Sequence, residues 1–346
     1  MKAIILAGGS GSRLWPFSND DIPKQLLRIN SDLSLLQNTF LRLNQLVPAE
    51  NILTVTNIAY REKTASQLQE ISPDGKLLCE PCTRNTAPAI ACAIEFLQKE
   101  NDSPEDIVII VPADHLIKDH AGFRKTLENA IAIAEKDYLV TLGITPDYPE
   151  TGFGYIKTAD TFDGGFKVEK FVEKPSADLA EKYVASGNYF WNGGIFVGKI
   201  SVFKEEFAKS APEIAKLAEK CSFASGLIGE EIFSQMPKIS IDYAIMEKSS
   251  RIALVKLLSD WSDLGSWQAI YQIHPQDENG NVVVGRAVLH NVRNSLIYSP
   301  NTMTAVADIE NRVVVNINGI SMACNLFQSQ NVRILCEAAA KEKIEK

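Results

Sequence analysis

Short apolar segments alternate with amphipathic stretches along the first half of the chain. The apolar segments predict strands at residues 3–6, 52–56, 76–79, 107–111 and 138–142. The stretches between them carry apolar positions at helical spacing, at residues 35–46, 59–71, 86–98 and 123–135. An unbroken apolar run such as 107–111 is typical of a parallel strand that is buried on both faces. The alternation predicts right-handed βαβ units and a doubly wound, mixed but mostly parallel α/β sheet.

The pattern changes twice after residue 150. Strands are predicted at 153–157, 166–172 and 194–197, and helices at 179–186 and 202–220. A polar, turn-rich boundary follows at 274–281. Beyond it come short β-rich runs at 282–284, 288–289, 295–298, 304–306 and 313–317. We therefore predict one domain over residues 1–273 and a small, all-β, β-helix-like domain over 281–346 that ends in a short helix.

Composition excludes several classes of protein. The chain has 346 residues, of which 45% are hydrophobic and 23% charged, as in ordinary folded proteins. A net charge of -8 gives no overall attraction to nucleic acid or to an anionic membrane surface. No apolar run approaches the ~18 residues of a membrane helix. The six cysteines are scattered and the four histidines never stand at ligand spacing, so we expect a cytoplasmic protein with reduced thiols.

A glycine-rich segment follows the first predicted strand. Its residues are Leu6, Ala7, Gly8, Gly9, Ser10, Gly11 and Ser12. Glycine lets backbone N–H groups cradle phosphates, because no Cβ blocks the approach. Leu14 stands where a dinucleotide fingerprint needs its third glycine, which argues against a dinucleotide oxidoreductase, and no Gly-Lys-Ser/Thr tripeptide marks a P-loop. Arg13 and Lys24 add two cations that suit a triphosphate. The alternative is a tight turn with a surface arginine.

Two aspartates follow apolar runs. Asp114 comes after 107–111, and Asp263 comes after 252–258. Ligands of a doubly wound sheet bind outside the carboxyl ends of its strands, so we expect Asp114 at that edge. Two carboxylates there would supply the hard oxygen ligands with which Mg²⁺ bridges substrate phosphates. Each aspartate could instead cap a helix or a turn.

The segments 7–16 and 23–25 resemble the opening of the sugar-1-phosphate nucleotidyltransferases. Further motifs, in that family's order over roughly residues 1–270, narrow the resemblance to the mannose-1-phosphate guanylyltransferases of the bacterial type. They are Glu80-Pro81-Cys82-Thr83-Arg84-Asn85-Thr86-Ala87-Pro88, Val111-Pro112-Ala113-Asp114-His115, Thr151-Gly152-Phe153-Gly154-Tyr155, Phe171-Val172-Glu173-Lys174-Pro175, Trp191-Asn192-Gly193-Gly194, Ser240-Ile241-Asp242-Tyr243-Ala244 and Trp261-Ser262-Asp263-Leu264-Gly265. The resemblance implies a Rossmann-like, GT-A-like fold.

The resemblance also implies an activity and a site. The expected reaction transfers GMP from GTP to α-D-mannose 1-phosphate and gives GDP-mannose and diphosphate, with Arg13 and Lys24 as the catalytic cations. The metal would be Mg²⁺ held by Asp114 and Asp263. Base recognition is placed at Glu80, Arg84 and Asn85, although Asn85 could equally cap the helix that follows. The sugar phosphate is placed at Gly154, Glu173, Lys174 and Asn192.

The sequence also leaves two alternatives open and gives two further expectations. The alternatives are a nucleotidyltransferase for another sugar 1-phosphate or nucleotide, and a non-catalytic paralogue that binds nucleotide sugars. The second predicts loss of a cation or an aspartate from the proposed site, and all four are present. Many proteins of this type carry a further cupin-like phosphomannose isomerase domain. Because no His-rich pattern follows residue 300, we expect this chain to lack that activity and to use its β-rich end for packing or as a homodimer contact.

Overall fold

The computed structural model describes residues 1–9, 11–29, 31–100 and 102–344. The chain divides into two compact units, which we call the large unit and the small unit. The large unit consists of Met1–Gly8, Leu36–Ala113 and Ile117–Trp261. The small unit consists of Gly9–Leu35, Asp114–Leu116 and Ser262–Lys346. The domain boundaries predicted at 273 and 281 stay a prediction.

A nine-stranded mixed sheet forms the large unit. Its strands are β1 (Lys2–Ala7), β2 (Ile52–Asn57), β3 (Lys76–Glu80), β4 (Ile107–Pro112), β5 (Leu139–Ile144), β6 (Tyr155–Phe162), β7 (Gly165–Val172), β8 (Tyr189–Lys199) and β9 (Ile252–Lys256). Their order is β3-β2-β1-β4-β8-β5-β9-β7-β6. The helices are α1 (Leu35–Asn44), α2 (Arg61–Gln69), α3 (Thr86–Lys99), α4 (His120–Ala134), α5 (Ala177–Ser186), α6 (Ile200–Ser210), α7 (Pro212–Lys220) and α8 (Glu230–Phe233). The predicted doubly wound α/β class is confirmed.

The first four strands form a continuous parallel part of this sheet. β1 pairs in parallel with β2 and β4, and β2 pairs in parallel with β3. Ile4, Val108 and Ile110 are fully buried in one apolar core, as strands covered on both faces require. The helix predicted over 202–220 is instead two helices, α6 and α7. Pro212 starts the second one, because proline has no N–H to continue the α6 ladder.

The small unit contains a four-stranded sheet in the order β10-β11-β12-β13. Its elements are α9 (Trp267–Ile273), β10 (Val282–Arg293), β11 (Leu296–Glu310), β12 (Arg312–Ile317), β13 (Ile320–Asn325) and α10 (Val332–Ile344). β10, β11 and β12 run parallel with only short connections, which is the geometry of a β-solenoid coil. β12 and β13 form an antiparallel hairpin. The predicted small β-rich C-terminal region is confirmed.

Strand lengths in this sheet differ from the prediction. The runs 282–284 and 288–289 belong to one strand, β10, and 295–298 and 304–306 both belong to β11. β13 was not predicted. Long stretches of β10 and β11 are exposed, so polar residues interrupt their apolar pattern without ending the strand. Within the part of the chain that is described, no helix has both the length and the apolar composition needed to cross a bilayer.

Candidate active site

The glycine-rich loop leaves β1 at Ala7 and turns sharply at Gly11. Gly11 has φ +68, and a Cβ there would lie 3.1 Å from the backbone nitrogen of Lys24, so a larger residue would push the two segments apart. Ser18 Oγ donates to the Gly11 carbonyl at 2.5 Å and closes the loop. Ser10, part of the predicted phosphate cradle, lies outside the described residues. The close approach of Lys24 and the hydrogen bond from Ser18 thus fix the backbone conformation of the loop at Gly11.

The two predicted cations, Arg13 and Lys24, differ in their surroundings. Arg13 lies in a short 3₁₀ turn formed by Ser12–Leu14, and its side chain is exposed. Among the described residues its guanidinium has no hydrogen bond or ion pair, so it is available to an anionic ligand. Lys24 is only 5% exposed, and its position is fixed. Two residues at the end of β1 are also assigned to the nucleotide. The Leu6 carbonyl accepts the Ala113 N–H at 2.9 Å, and the Ala7 carbonyl accepts a hydrogen bond from Thr56 Oγ1 at 3.0 Å.

Lys24 joins the two predicted metal ligands within the small unit. Its Nζ donates to Asp114 Oδ2 at 2.6 Å and also to the main-chain carbonyl of Asp263. The Asp263 carboxylate accepts the Gly265 N–H at 3.0 Å. Burial by itself would raise the pKa of the Asp114 carboxyl. The charge of Lys24, the neighbouring His115 and the hydrogen bond from Lys24 together outweigh burial, and the pKa lies below its usual value. Asp114 is therefore ionised and presents hard oxygen atoms.

These carboxylates fit a divalent metal that is shared with substrate. Among the described residues, no three His, Cys, Asp or Glu side chains cluster into a metal site held by protein alone. Mg²⁺ commonly binds through one or two carboxylates, with substrate phosphates and water completing its shell. Asp114 and Asp263 supply that kind of donor set. A triphosphate would supply the remaining oxygen atoms.

Glu80 is the last residue of β3 in the large unit, and its carboxyl group has unusual surroundings. It is 6% exposed, and its Oε1 atom is buried with no hydrogen-bond partner. A Cβ on Gly8 would lie 3.1 Å from its Oε2 atom, so glycine leaves space beside this carboxylate. Burial raises the pKa of Glu80 to about 8. A buried acceptor without a partner is costly, which suggests that a ligand completes it.

The other two predicted base-binding residues each have a partner, although the buried Nε atom of Arg84 has none among the described residues. Asn85 caps α3, and its side chain accepts the Thr86 N–H at 2.8 Å. The Arg84 guanidinium donates to the Ser234 carbonyl. Asn85 therefore takes the capping role that the sequence left open. Its φ of +68 with ψ of -171 is a conformation that residues other than glycine rarely adopt, so the backbone is strained at this position.

The four residues assigned to the sugar phosphate lie together in the large unit. The Asn192 N–H donates to the Gly154 carbonyl at 2.8 Å. A Cβ on Gly154 would lie 2.5 Å from Glu173 Oε2, so glycine makes room for that carboxylate. Lys174 pairs with Glu173 at 2.6 Å and remains 59% exposed at its side chain. The cluster offers one cation, one carboxylate and one amide at one place.

Asp242 belongs to this cluster and was not predicted. Its Oδ1 atom accepts from Asn192 Nδ2 at 2.8 Å, and the Asn192 Oδ1 atom accepts from Thr141 Oγ1 at 3.0 Å. Burial and then the charge of Glu173 raise the pKa of Asp242 to about 6. Its bonds and those of Thr141 fix which way the Asn192 amide points. The only local signal was a single carboxylate inside the apolar motif 240–244.

Comparison with known proteins places these features in a family. Residues 2–280 match the Nucleotidyl transferase family. The chain belongs to that family. This nucleotidyltransferase is 37% identical to Mannose-1-phosphate guanylyltransferase 2 of Escherichia coli O157:H7, over 97% of this chain and 72% of the relative. It is 38% identical to Mannose-1-phosphate guanylyltransferase of Klebsiella pneumoniae, over 95% of this chain and 72% of the relative.

A solved structure extends the likeness of this nucleotidyltransferase to its fold. It is described as a mannose-1-phosphate geranyltransferase from Thermus thermophilus. It matches with a TM-score of 0.89 and 31% identity, covering 98% of this chain and 99% of the other. The resemblance found in the sequence motifs is confirmed, as is the prediction of a transferase enzyme.

Proposed function

We propose that this nucleotidyltransferase is a cytoplasmic mannose-1-phosphate guanylyltransferase, which forms GDP-mannose and diphosphate from GTP and α-D-mannose 1-phosphate. The names of relatives 37–38% identical over nearly the whole chain support this assignment. Within the structure, the buried Glu80 carboxylate without a hydrogen-bond partner is the observation that best supports GTP as the substrate. Its unpartnered Oε1 and its Oε2 can accept the N1–H and N2–H donors of guanine. The corresponding edge of adenine lacks that donor pair, so the carboxylate selects GTP over ATP.

The phosphates are assigned to the glycine-rich loop and to the cations of the small unit. Backbone N–H groups of the glycine-rich loop and the exposed guanidinium of Arg13 would hold the triphosphate. Mg²⁺ would be held by Asp114 and Asp263, where it neutralises negative charge on the phosphates. Lys24 would contribute a cation beside Asp114, from which it is 2.6 Å away. These groups act by positioning and by charge neutralisation, without a covalent enzyme intermediate.

The sugar phosphate supplies its own nucleophile. One of its phosphate oxygen atoms attacks the α-phosphorus of GTP in line, the bond from that phosphorus to the bridging oxygen breaks, and diphosphate leaves. An ionised phosphate oxygen needs no general base. Lys174 would hold this phosphate because a compact ammonium suits a monoester, and Glu173 would accept hydrogen bonds from the sugar hydroxyl groups. Asn192 and the Gly154 backbone would complete the sugar contacts.

A substrate panel tests this proposal. Purified protein with Mg²⁺ is expected to release diphosphate fastest from the pair GTP and mannose 1-phosphate, among the four nucleoside triphosphates and several hexose 1-phosphates. Turnover more than about tenfold faster with another pair, a difference of roughly 1.4 kcal/mol, would show that the substrates are misassigned. No diphosphate release from any pair would instead indicate a non-catalytic nucleotide-sugar binder.

Lys174→Ala is expected to raise the KM for mannose 1-phosphate by roughly 10- to 100-fold, because a charge-assisted hydrogen bond to its phosphate is lost. The KM for GTP should change little. Steady-state kinetics with each substrate varied at saturating levels of the other provides the measurement. Lys157→Ala is the matched control, since Lys157 pairs with Glu169 at 2.7 Å on neighbouring strands of the same sheet. If Lys174→Ala weakened GTP alone, the two phosphate subsites would be assigned the wrong way round.

A further inference from the structure

The segment that follows Arg13 is held by the C-terminal part of the small unit. The indole Nε1 of Trp267 donates to the Trp15 carbonyl at 3.0 Å. The Asn318 amide Nδ2 donates to the Pro16 carbonyl at 3.2 Å. Two consecutive carbonyl groups, directly after the loop that carries Arg13, are therefore bonded by residues more than 250 positions away in the chain.

Aromatic packing secures the next residue of the same segment. The ring of Phe17 lies 5.0 Å from the ring of Tyr298 and 6.4 Å from that of Trp267. Leu14 is fully buried in the apolar core that contains Trp267 and Tyr298. Leu14 and Phe17 thus make apolar contacts on either side of the two bonded carbonyl groups, those of Trp15 and Pro16. These contacts come from Trp267 on α9 and from Tyr298 on the C-terminal sheet.

The two donors are themselves fixed in place. Trp267 is fully buried, so its N–H needs a partner inside the protein, and the Trp15 carbonyl provides it. Asn318 and Gly319, with φ +55 and +75, form the two-residue turn between β12 and β13. Asn-Gly is the favoured sequence for such a turn, and the pairing of Ile317 with Ile320 sets its register. The hairpin therefore holds the Asn318 amide against the loop.

We propose that Asn318 and Trp267 are positioning residues for nucleotidyl transfer. This inference rests on the proposed function. The two residues hold residues 11–18 in the conformation in which Arg13 meets the phosphates. Transfer that depends on positioned charge is sensitive to displacements of about 1 Å in the groups that supply it. Neither side chain is assigned to a substrate, so their contribution passes through the backbone of the loop. Helix α9 and the β12–β13 hairpin thus serve the transfer by positioning the loop, without touching a substrate.

Asn318→Gly tests the proposal with little disturbance of the turn, because glycine adopts positive φ readily. We expect kcat to fall about three- to tenfold, the scale of one lost hydrogen bond. The KM for mannose 1-phosphate and the thermal midpoint should stay close to wild type. Trp267→Phe keeps an aromatic ring and removes the N–H, and it should lower kcat on the same scale. Asn311→Gly is the control: it has φ +55 in the β11–β12 turn, and its side chain has no hydrogen bond among the described residues.

Hydrogen exchange gives a readout independent of activity. The amides of Leu14, Phe17 and Ser18 bond within the loop, so Asn318→Gly should speed their exchange and Asn311→Gly should not. Unchanged kcat and unchanged exchange in Asn318→Gly would overturn the proposal. An equal loss of kcat in Asn311→Gly, or a rise in the KM for mannose 1-phosphate alone, would overturn it as well. If wild type showed no transferase activity, the proposed function would fail, and the exchange rates would still decide whether these residues anchor the loop.

Discussion

Asp263→Asn is expected to lower kcat by at least ~10²-fold, the scale of losing one preorganised electrostatic partner. Asparagine has the shape of aspartate and keeps an oxygen that can accept the Gly265 N–H, now at 3.0 Å. The substitution therefore removes negative charge from the proposed Mg²⁺ site with little effect on the local turn. Steady-state kcat with GTP and mannose 1-phosphate, together with thermal unfolding, provides the measurement.

Two companion variants make this result specific. Asp277→Asn is the control, because Asp277 Oδ1 accepts the N–H groups of Asn279 and Asn281 at 2.9 and 2.7 Å in another turn of the small unit. It should keep wild-type kcat. Asp114→Asn should also lose activity, but it leaves the buried ammonium of Lys24 without its carboxylate and should lower stability too. Near-normal kcat in Asp263→Asn would remove the two-carboxylate metal site from the account.

Glu80→Gln is expected to lower kcat/KM for GTP by about 10²-fold or more, while the low activity with ATP changes much less. The carboxylate can accept two N–H donors of guanine at once, whereas the amide offers one acceptor and places an N–H₂ group against a donor. When a site is built to form hydrogen bonds with its substrate, losing one of those pairings lowers kcat/KM strongly, because buried polar groups are left without partners. Kinetics with each nucleotide at fixed mannose 1-phosphate provides the comparison.

The pH dependence adds a second test of the same carboxylate. Because the pKa of Glu80 is raised to about 8, the group is mostly protonated at neutral pH before guanine binds. Pairing with both guanine donors requires the ionised form, so binding must release that proton. The KM for GTP should therefore fall as pH rises from about 6.5 to 8.5 in wild type, and Glu80→Gln should lack this trend.

A buried glutamate elsewhere in the large unit provides the control for both measurements. Glu95 on α3 is 9% exposed and pairs with Lys204 at 2.8 Å. Glu95→Gln should leave the preference for GTP and its pH trend unchanged. If Glu80→Gln instead reduced activity with GTP and ATP by the same factor, Glu80 would have no part in recognising the base.

The first half of the large unit was predictable because strands β1, β2, β4 and β5 are buried along almost their whole length. Runs such as Ile107–Pro112 are apolar without interruption, and helix starts carry local signals such as the Asn85 cap. The small unit was harder. Val283 and Val288 of β10 are exposed, so hydrophobicity there does not follow burial, and strand ends were misplaced. The pattern of apolar residues predicts strand bounds where a strand is buried, and it predicts them poorly where the sheet faces solvent.

The candidate site was predictable where a motif carries its own chemistry. The glycine-rich turn at Gly11 is such a case, because its positive φ and the close approach of Lys24 both require glycine. Asp242 was missed since its partner Asn192 lies 50 positions earlier, and no local pattern links them. The bond from Asn318 to the Pro16 carbonyl spans 302 positions and depends on the folded small unit. Contacts of this kind follow from tertiary structure alone.

The fate of the α-phosphorus tests the proposed reaction most directly. GTP radiolabelled at that position is incubated with the protein, Mg²⁺ and mannose 1-phosphate, and the products are separated. We expect the label to appear in GDP-mannose and unlabelled diphosphate to form in equal amount. Omitting mannose 1-phosphate should stop both. Label in free GMP, or product formed at the same rate without mannose 1-phosphate, would contradict it.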